Sequence, residues 1–142
     1  TGKLRDVLSA PAEPGMLLKL PGNVLSLAYS PDGRWLAAGH IVGLMQLWDT
    51  ASLEQGPILS GHANGVTGIA FSLDGQWIAS SSQDQTVILW DASTNALVTT
   101  LTGHNASVNC VAFSPDGHQI ASGGDDKKAA AGQVLIHDMA VI

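Results

Sequence analysis

An imidazole, a hydroxyl and a carboxylate stand at His62, Ser80 and Asp84. Together such groups can serve acyl transfer, the imidazole taking the hydroxyl proton while the carboxylate orients the ring. His104, Ser122 and Asp126 offer the same three groups again further along the chain. Metal ligation is a second possibility, but His40, His62, His104, His118 and His137 are scattered, with no two at the close spacing that local sites favour. Phosphate binding is a third, and Gly123-Gly124 lacks the following Lys-Ser/Thr and helix that a phosphate loop needs. Cys110 is the single cysteine, so no internal disulfide can form. Its neighbours Asn109 and Val111 bring no cation to stabilise a thiolate, and it reads as a buried thiol in a reducing compartment. No metal and no cofactor is expected from these residues.

The elements that must position these groups are short strands. With 45% apolar and 13% charged residues among 142, the chain is too hydrophobic to stay disordered and suits a single domain. The 16 glycines and 6 prolines are spread along it, as in many short strands joined by turns. A net charge of −6, from 12 acidic residues against 6 basic ones with one basic doublet, argues against a phosphate-tracking surface and hence against a nucleic-acid partner. No stretch approaches the roughly 20 apolar residues that cross a bilayer, so no membrane partner is expected.

A fixed period outranks any local propensity. Ser30-Pro31-Asp32-Gly33 recurs 42 positions later as Ser72-Leu73-Asp74-Gly75, and 42 after that as Ser114-Pro115-Asp116-Gly117. Gly61-His62 returns as Gly103-His104, and Trp48-Asp49 as Trp90-Asp91, at the same offset. Within each unit the apolar pattern has a period near two, as in Val66–Phe71, Trp77–Ser80 and Val87–Trp90. The Asp-Gly pairs supply a turn with positive φ between the first and second strands, and Asp84-Gln85 opens the next turn. A fourth strand follows each Trp-Asp, over Leu97–Leu101 and less clearly between Leu53 and Leu59. Four antiparallel strands in about 40 residues make a propeller blade.

The Gly-His start, the Ser-Pro-Asp-Gly turn and the Trp-Asp end together resemble the WD-repeat family across nearly the whole chain. The expected fold is all-β: three four-stranded antiparallel blades, with repeats over approximately 1–49, 50–91 and 92–138 of one segment spanning 1–142. The second unit matches best, while the third has His137-Asp138 in place of Trp-Asp and roughly five extra residues around Lys128 to Gly132. The resemblance implies that His62, Ser80, Asp84 and Trp90 form a structural hydrogen-bond chain rather than a catalytic one, with His104, Ser122 and Asp126 as its counterpart in the third unit. A buried indole and imidazole need such partners. The first unit holds Leu20, Ala38 and Val42 at the matching positions and keeps only Trp48. Replacing a whole network with apolar groups can be nearly neutral, whereas deleting one member strands the rest, so this blade is expected to be apolar but folded.

The resemblance also places the loops entering each blade, and those between its second and third strands, on one face that docks peptides. Carried over, that top face comprises Asn23, Leu25 and Ile41, then Gly65, Thr67 and Gln83, then Ser107, Asn109 and Asp125. Leu25 and Ile41 are anchor candidates if exposed, the alternative being that both pack inward. Two insertions fall among these loops, Ser9 to Gly15 and Lys127 to Gly132, and Lys127 with Lys128 could meet an acidic partner.

Three blades are too few to close a ring, which usually takes four to eight. Residues Thr1 to Leu8 read as the outermost strand that follows a Trp-Asp, giving a permuted order. Two copies could exchange such segments into a six-bladed homodimer with two-fold symmetry, or the chain is part of a larger propeller, which the start at Thr1 favours. The expected function is a non-catalytic scaffold that docks protein or peptide partners on the top face. The alternatives are an assembly segment of a longer multi-blade protein and a propeller enzyme with a channel site, for which the inner strands offer too few acids and histidines. Cytoplasmic location is the default expectation.

Overall fold

A computed structural model describes residue 4, residues 23–125 and residues 133–139. The proposed first strand over residues 1–8 (Leu4 aside), Leu20, both insertions, Asp126, Lys127 and Lys128 lie outside the described residues. Eleven strands are described, and no helix. The first sheet holds β1 (Val24–Tyr29), β2 (Trp35–His40), β3 (Leu44–Asp49) and β4 (Gln55–Ser60), paired antiparallel in chain order. The second repeats the meander with β5 (Val66–Phe71), β6 (Trp77–Ser82), β7 (Val87–Asp91) and β8 (Leu97–Leu101). The third, among the described residues, has three strands rather than the expected four: β9 (Val108–Phe113), β10 (Gln119–Gly124) and β11 (Gln133–Asp138). Each hydrogen-bonded sheet is displaced by one strand from the sequence units 50–91 and 92–138, because the strand after each Trp-Asp pairs with the three before it.

The turns follow from their residues. In all three Ser-x-Asp-Gly turns the glycine amide donates to the serine carbonyl at 2.9 Å, and the glycine φ is 72°, 76° or 73°, a left-handed value that side chains resist. The serine hydroxyl donates to the aspartate Oδ1 at 2.6 to 2.7 Å, and that same oxygen accepts the amide two residues on. The aspartates after Trp48 and Trp90 work in the same way, Asp49 Oδ1 accepting from Ala51 and Ser52 and Asp91 Oδ1 from Ser93.

The innermost strands β1, β5 and β9 lie side by side, and two core clusters fill the spaces between sheets. One contains Met45, Leu47, Ile78, Ile88 and Trp90; the other Ala79, Val87, Leu89, Val108 and Ile120. Packing is tight where the next sheet's first strand crosses. A Cβ on Gly39 would come within 2.7 Å of Val66 Cγ1, and one on Gly68 within 3.3 Å of the Cys110 Cα. Gly39 pairs with Ser26, Gly68 with Ser81, and Gly123 with Cys110, so each cross-strand pair is one glycine and one small side chain. The pair has room for a single short side chain, and either strand can supply it. Hydrogen bonds add to this seam: Ser26 Oγ donates to the Val66 carbonyl at 2.9 Å, and Thr67 Oγ1 donates to the equivalent carbonyl of Val108.

Candidate partner-binding face

The catalytic-looking trio is wired as a structural chain. His62 Nδ1 lies 3.0 Å from Asp84 Oδ2 and Nε2 lies 2.7 Å from Ser80 Oγ, while the Trp90 indole N–H donates to Ser80 Oγ at 2.8 Å. One neutral tautomer satisfies every group: Nδ1–H donates to the carboxylate, the serine O–H donates to Nε2, and the serine oxygen accepts from the indole. Burial alone would raise the Asp84 carboxyl, but hydrogen bonds from the Thr86 hydroxyl, the Ala63 amide and His62 outweigh it and hold the group below its ordinary value of 3.8. Ser80 is 0% exposed, so in this conformation no acyl group can reach its oxygen. His104 Nε2 and Ser122 Oγ repeat the inner link at 2.8 Å in sheet three. His137 occupies the register position of the tryptophan, opposite Ile120 as Trp90 is opposite Ile78, but no hydrogen bond joins it to Ser122. Among the described residues no three His, Cys, Asp or Glu side chains gather as a metal-binding group.

Sheet one departs from the expectation of an apolar blade. Ala38 and Trp48 are buried as expected, but so are His40 and Gln46. Gln46 Nε2 donates to the carbonyls of Leu47 and Gly56 at 2.8 Å, filling the irregularity between β3 and β4, while its Oε1 has no partner. Neither ring nitrogen of His40 has a hydrogen bond, and burial pulls its pKa below 6.5. His40 stands 42 positions before Ser82, whose hydroxyl donates to the Asn64 carbonyl at 3.0 Å, so a large ring replaces a small loop clamp.

At the loop end of the sheets, the sequence-derived residues are brought together in three equivalent pairs. The Ile41 amide donates to the Asn23 carbonyl at 2.9 Å, Gln83 to Gly65 at 3.0 Å, and Asp125 to Ser107 at 2.9 Å. Asn23, Gln83, Asn109 and Asp125 are exposed, Ser107 is half-buried and Gly65 is buried. Thr67 is half-buried with its hydroxyl engaged by Ser81 and Val108, so it faces the neighbouring sheet. Leu25 and Ile41 do not pack inward: they are 39% and 40% exposed, and Val42, in the place of Asp84, is 44% exposed. A Leu25 methyl lies so close to Gly65 that a Cβ there would be 2.9 Å away, which seats the side chain on the seam between sheets one and two. Sequence reasoning placed Val42 in the missing network and did not see it as surface. The signal was available, since an apolar side chain in a loop position loses its reason to turn inward once the partner histidine is absent.

Cys110 is exposed rather than buried. It lies on the face of sheet three that corresponds to the side of sheet two covered by sheet three, alongside exposed Ala112, Val134 and Ile136. At the other end of the row Leu27 and Tyr29 are likewise exposed.

Comparison with known proteins agrees with this architecture. The structure of U3-55K and the crystal structure of RRP9 WD40 repeats each superpose with a TM-score of 0.77 at 24% identity, over 86% of this chain and 38% of theirs. The β-propeller domain of Myceliophteria thermophila Cps50 (Swd1) does so with a TM-score of 0.69 at 22% identity, over 82% of this chain and 39% of that one. In sequence, a U3 snoRNP-associated protein-like YAOH of Oryza sativa subsp. japonica is 38% identical over 61 residues, 43% of this chain and 12% of the relative. The chain therefore spans well under half the length of these proteins. The WD domain, G-beta repeat profile matches residues 15–49, 54–91 and 95–129, and the chain belongs to the WD40 repeat family.

Proposed function

We propose that this chain is a non-catalytic docking scaffold that binds protein or peptide partners at the loop end of its blades. The observation that carries the reading is the apolar rim of Leu25, Ile41 and Val42, left exposed on the one blade that lacks the polar network. Aliphatic side chains on a rigid rim, bordered by polar Asn23, Gln83, Asn109 and Asp125, have the composition of a small interface core with a wet margin. Lys127 and Lys128 extend the proposed surface on sequence grounds and suit an acidic partner. The rice relative is described as U3 snoRNP-associated. That supports protein partners within a ribonucleoprotein assembly, and with it a nuclear rather than a cytoplasmic location; contact with RNA belongs to the same reading despite the acidic composition.

The test is affinity capture with the wild-type protein and a Leu25→Ser/Ile41→Ser double variant, with thermal unfolding to show that the fold persists. Loss of a defined set of captured proteins in the variant is expected, and capture of the same set in equal yield would refute the rim as the docking surface.

A second reading, that these blades also serve to complete a larger ring, is favoured by the exposed apolar faces at both ends of the row. Further blades of a longer polypeptide or a second copy would cover them, and the solution mass distinguishes the two.

A further inference from the structure

The opposite end of the molecule carries a cleft of about 670 Å³ between sheets one and two. Trp35, Leu47, Phe71 and Ile78 supply its apolar wall and Ser30, Arg34, Gln76, Ser93 and Asn95 its polar one, and it opens toward the core between the two sheets. Between the same turns of sheets two and three the space is about 230 Å³.

Two features of the larger cleft bear on what it can hold. Leu73, 72% exposed, stands between the two clefts and lines both, where the other two repeats have Pro31 and Pro115. Proline suits this turn position and needs no apolar cover, whereas a projecting leucine gives stability nothing in the isolated fold. The charge around it is net acidic, with Asp32 and Asp74 set against the single guanidinium of Arg34. Asp32 and Asp74 flank the cleft, each with Oδ1 committed to its own turn and no hydrogen bond to Oδ2. Hydrogen bonds from Ser30 and Ser72, then from the amides of Arg34 and Gln76, hold both carboxyls below their ordinary value, so both are ionised at neutral pH. Arg34, the sole Lys or Arg among the described residues, lines the same cleft: its guanidinium carbon stands 5.2 Å from the centroid of the Trp35 ring, and its charge also favours the ionised form of Asp32. On the wall, Asn95 Oδ1 is buried without a partner.

We propose that this cleft is a second docking site, distinct from the loop-end rim, and that it takes an extended segment of a partner protein in which an aliphatic side chain is flanked by lysine or arginine. The aliphatic group enters between Trp35 and Phe71 beneath Leu73, and the flanking cations reach the free Oδ2 atoms of Asp32 and Asp74.

The test uses a fluorescein-labelled synthetic peptide with alternating leucine and lysine in a glycine-serine background, titrated with the protein and read by fluorescence polarisation. Saturable binding that weakens with added salt is expected. Leu73→Pro restores the residue of the other repeats and should lower affinity about tenfold. Asp32→Asn and Asp74→Asn keep the Oδ1 acceptor of each turn while removing the charge, and each should lower affinity about threefold. Thermal unfolding of each variant confirms that the turns survive. Absence of saturable binding overturns the proposal. So does binding that Leu73→Pro leaves unchanged, which would mean attraction to the acidic surface alone, and so does binding indifferent to both asparagine changes, which would mean apolar adsorption.

Discussion

Sheets one and two have the same four-strand meander and the same turns, yet they satisfy their interiors in different ways. Sheet two closes an unbroken chain from Asp84 through His62 and Ser80 to the Trp90 indole. Sheet one has Ala38 and Val42 at two of those positions, keeps a buried Trp48, and adds two buried polar groups, His40 and Gln46, with incomplete bonding. The difference teaches that the network is not what makes a blade fold. Strand pairing and the inter-sheet apolar core do that, and the network fixes how one loop end is held.

The sharpest test of the comparison is to damage sheet two in two ways. His62→Ala leaves Ser80 and Asp84 without their shared partner and should lower stability by about 3 kcal/mol in chemical denaturation. Installing sheet one's residues together, as His62→Leu, Ser80→Ala and Asp84→Val, should cost less than that single change: leucine fills the volume that alanine vacates, the polar groups that face one another go together, and of the donors left over only the Trp90 indole N–H is fully buried. A triple variant less stable than His62→Ala would break the argument. In the other direction, Ala38→Ser puts a hydroxyl beside Trp48 with no histidine to receive its proton, and a loss of about 1 kcal/mol is expected from the same denaturation curves.

The finest effect is one of pH. Burial holds His40 below 6.5, so the folded state favours its neutral ring. Its titration costs no stability above the unfolded value, and stability falls as pH drops through 6.5 toward the lower folded value. Burial shifts His137 in the same direction. Asp84, held below 3.8, keeps its contribution throughout that window. The decline in thermal midpoint between about pH 7 and about pH 5 should therefore be smaller in His40→Leu than in wild type. Equal declines would show that His40 is not the group responsible.

What the sequence made legible were relations within one sheet. The 42-residue repeat of Ser-x-Asp-Gly and Trp-Asp carries the strand order, and residues 18 and 22 beyond His62 carry its partners. What it hid were relations between sheets. Nothing local marks Gly39 and Ser26 as one shared volume under Val66, because the glycine moves from one strand to the other in the next sheet. Cys110 reads as core by its alternation, and only the position of its sheet at the end of the row leaves it bare. His40 is legible only as one of the scattered histidines, and neither its burial nor its lack of ring partners follows from its spacing. The exposure of Leu25 and Ile41 likewise depends on how the loops meet across the seam, which periodicity does not contain.

The glycine and small-residue pairs bear on chemistry as well as on packing. In sheets one and two, the pair lies beneath a strand of the following sheet, and in sheet three the corresponding side chain is the thiol of Cys110. Any blade seated against sheet three would cover that sulfur as Val66 covers Gly39. The rate at which an alkylating reagent modifies the sole cysteine thus reports whether the next place in the ring is filled, and the protein carries its own label for following assembly.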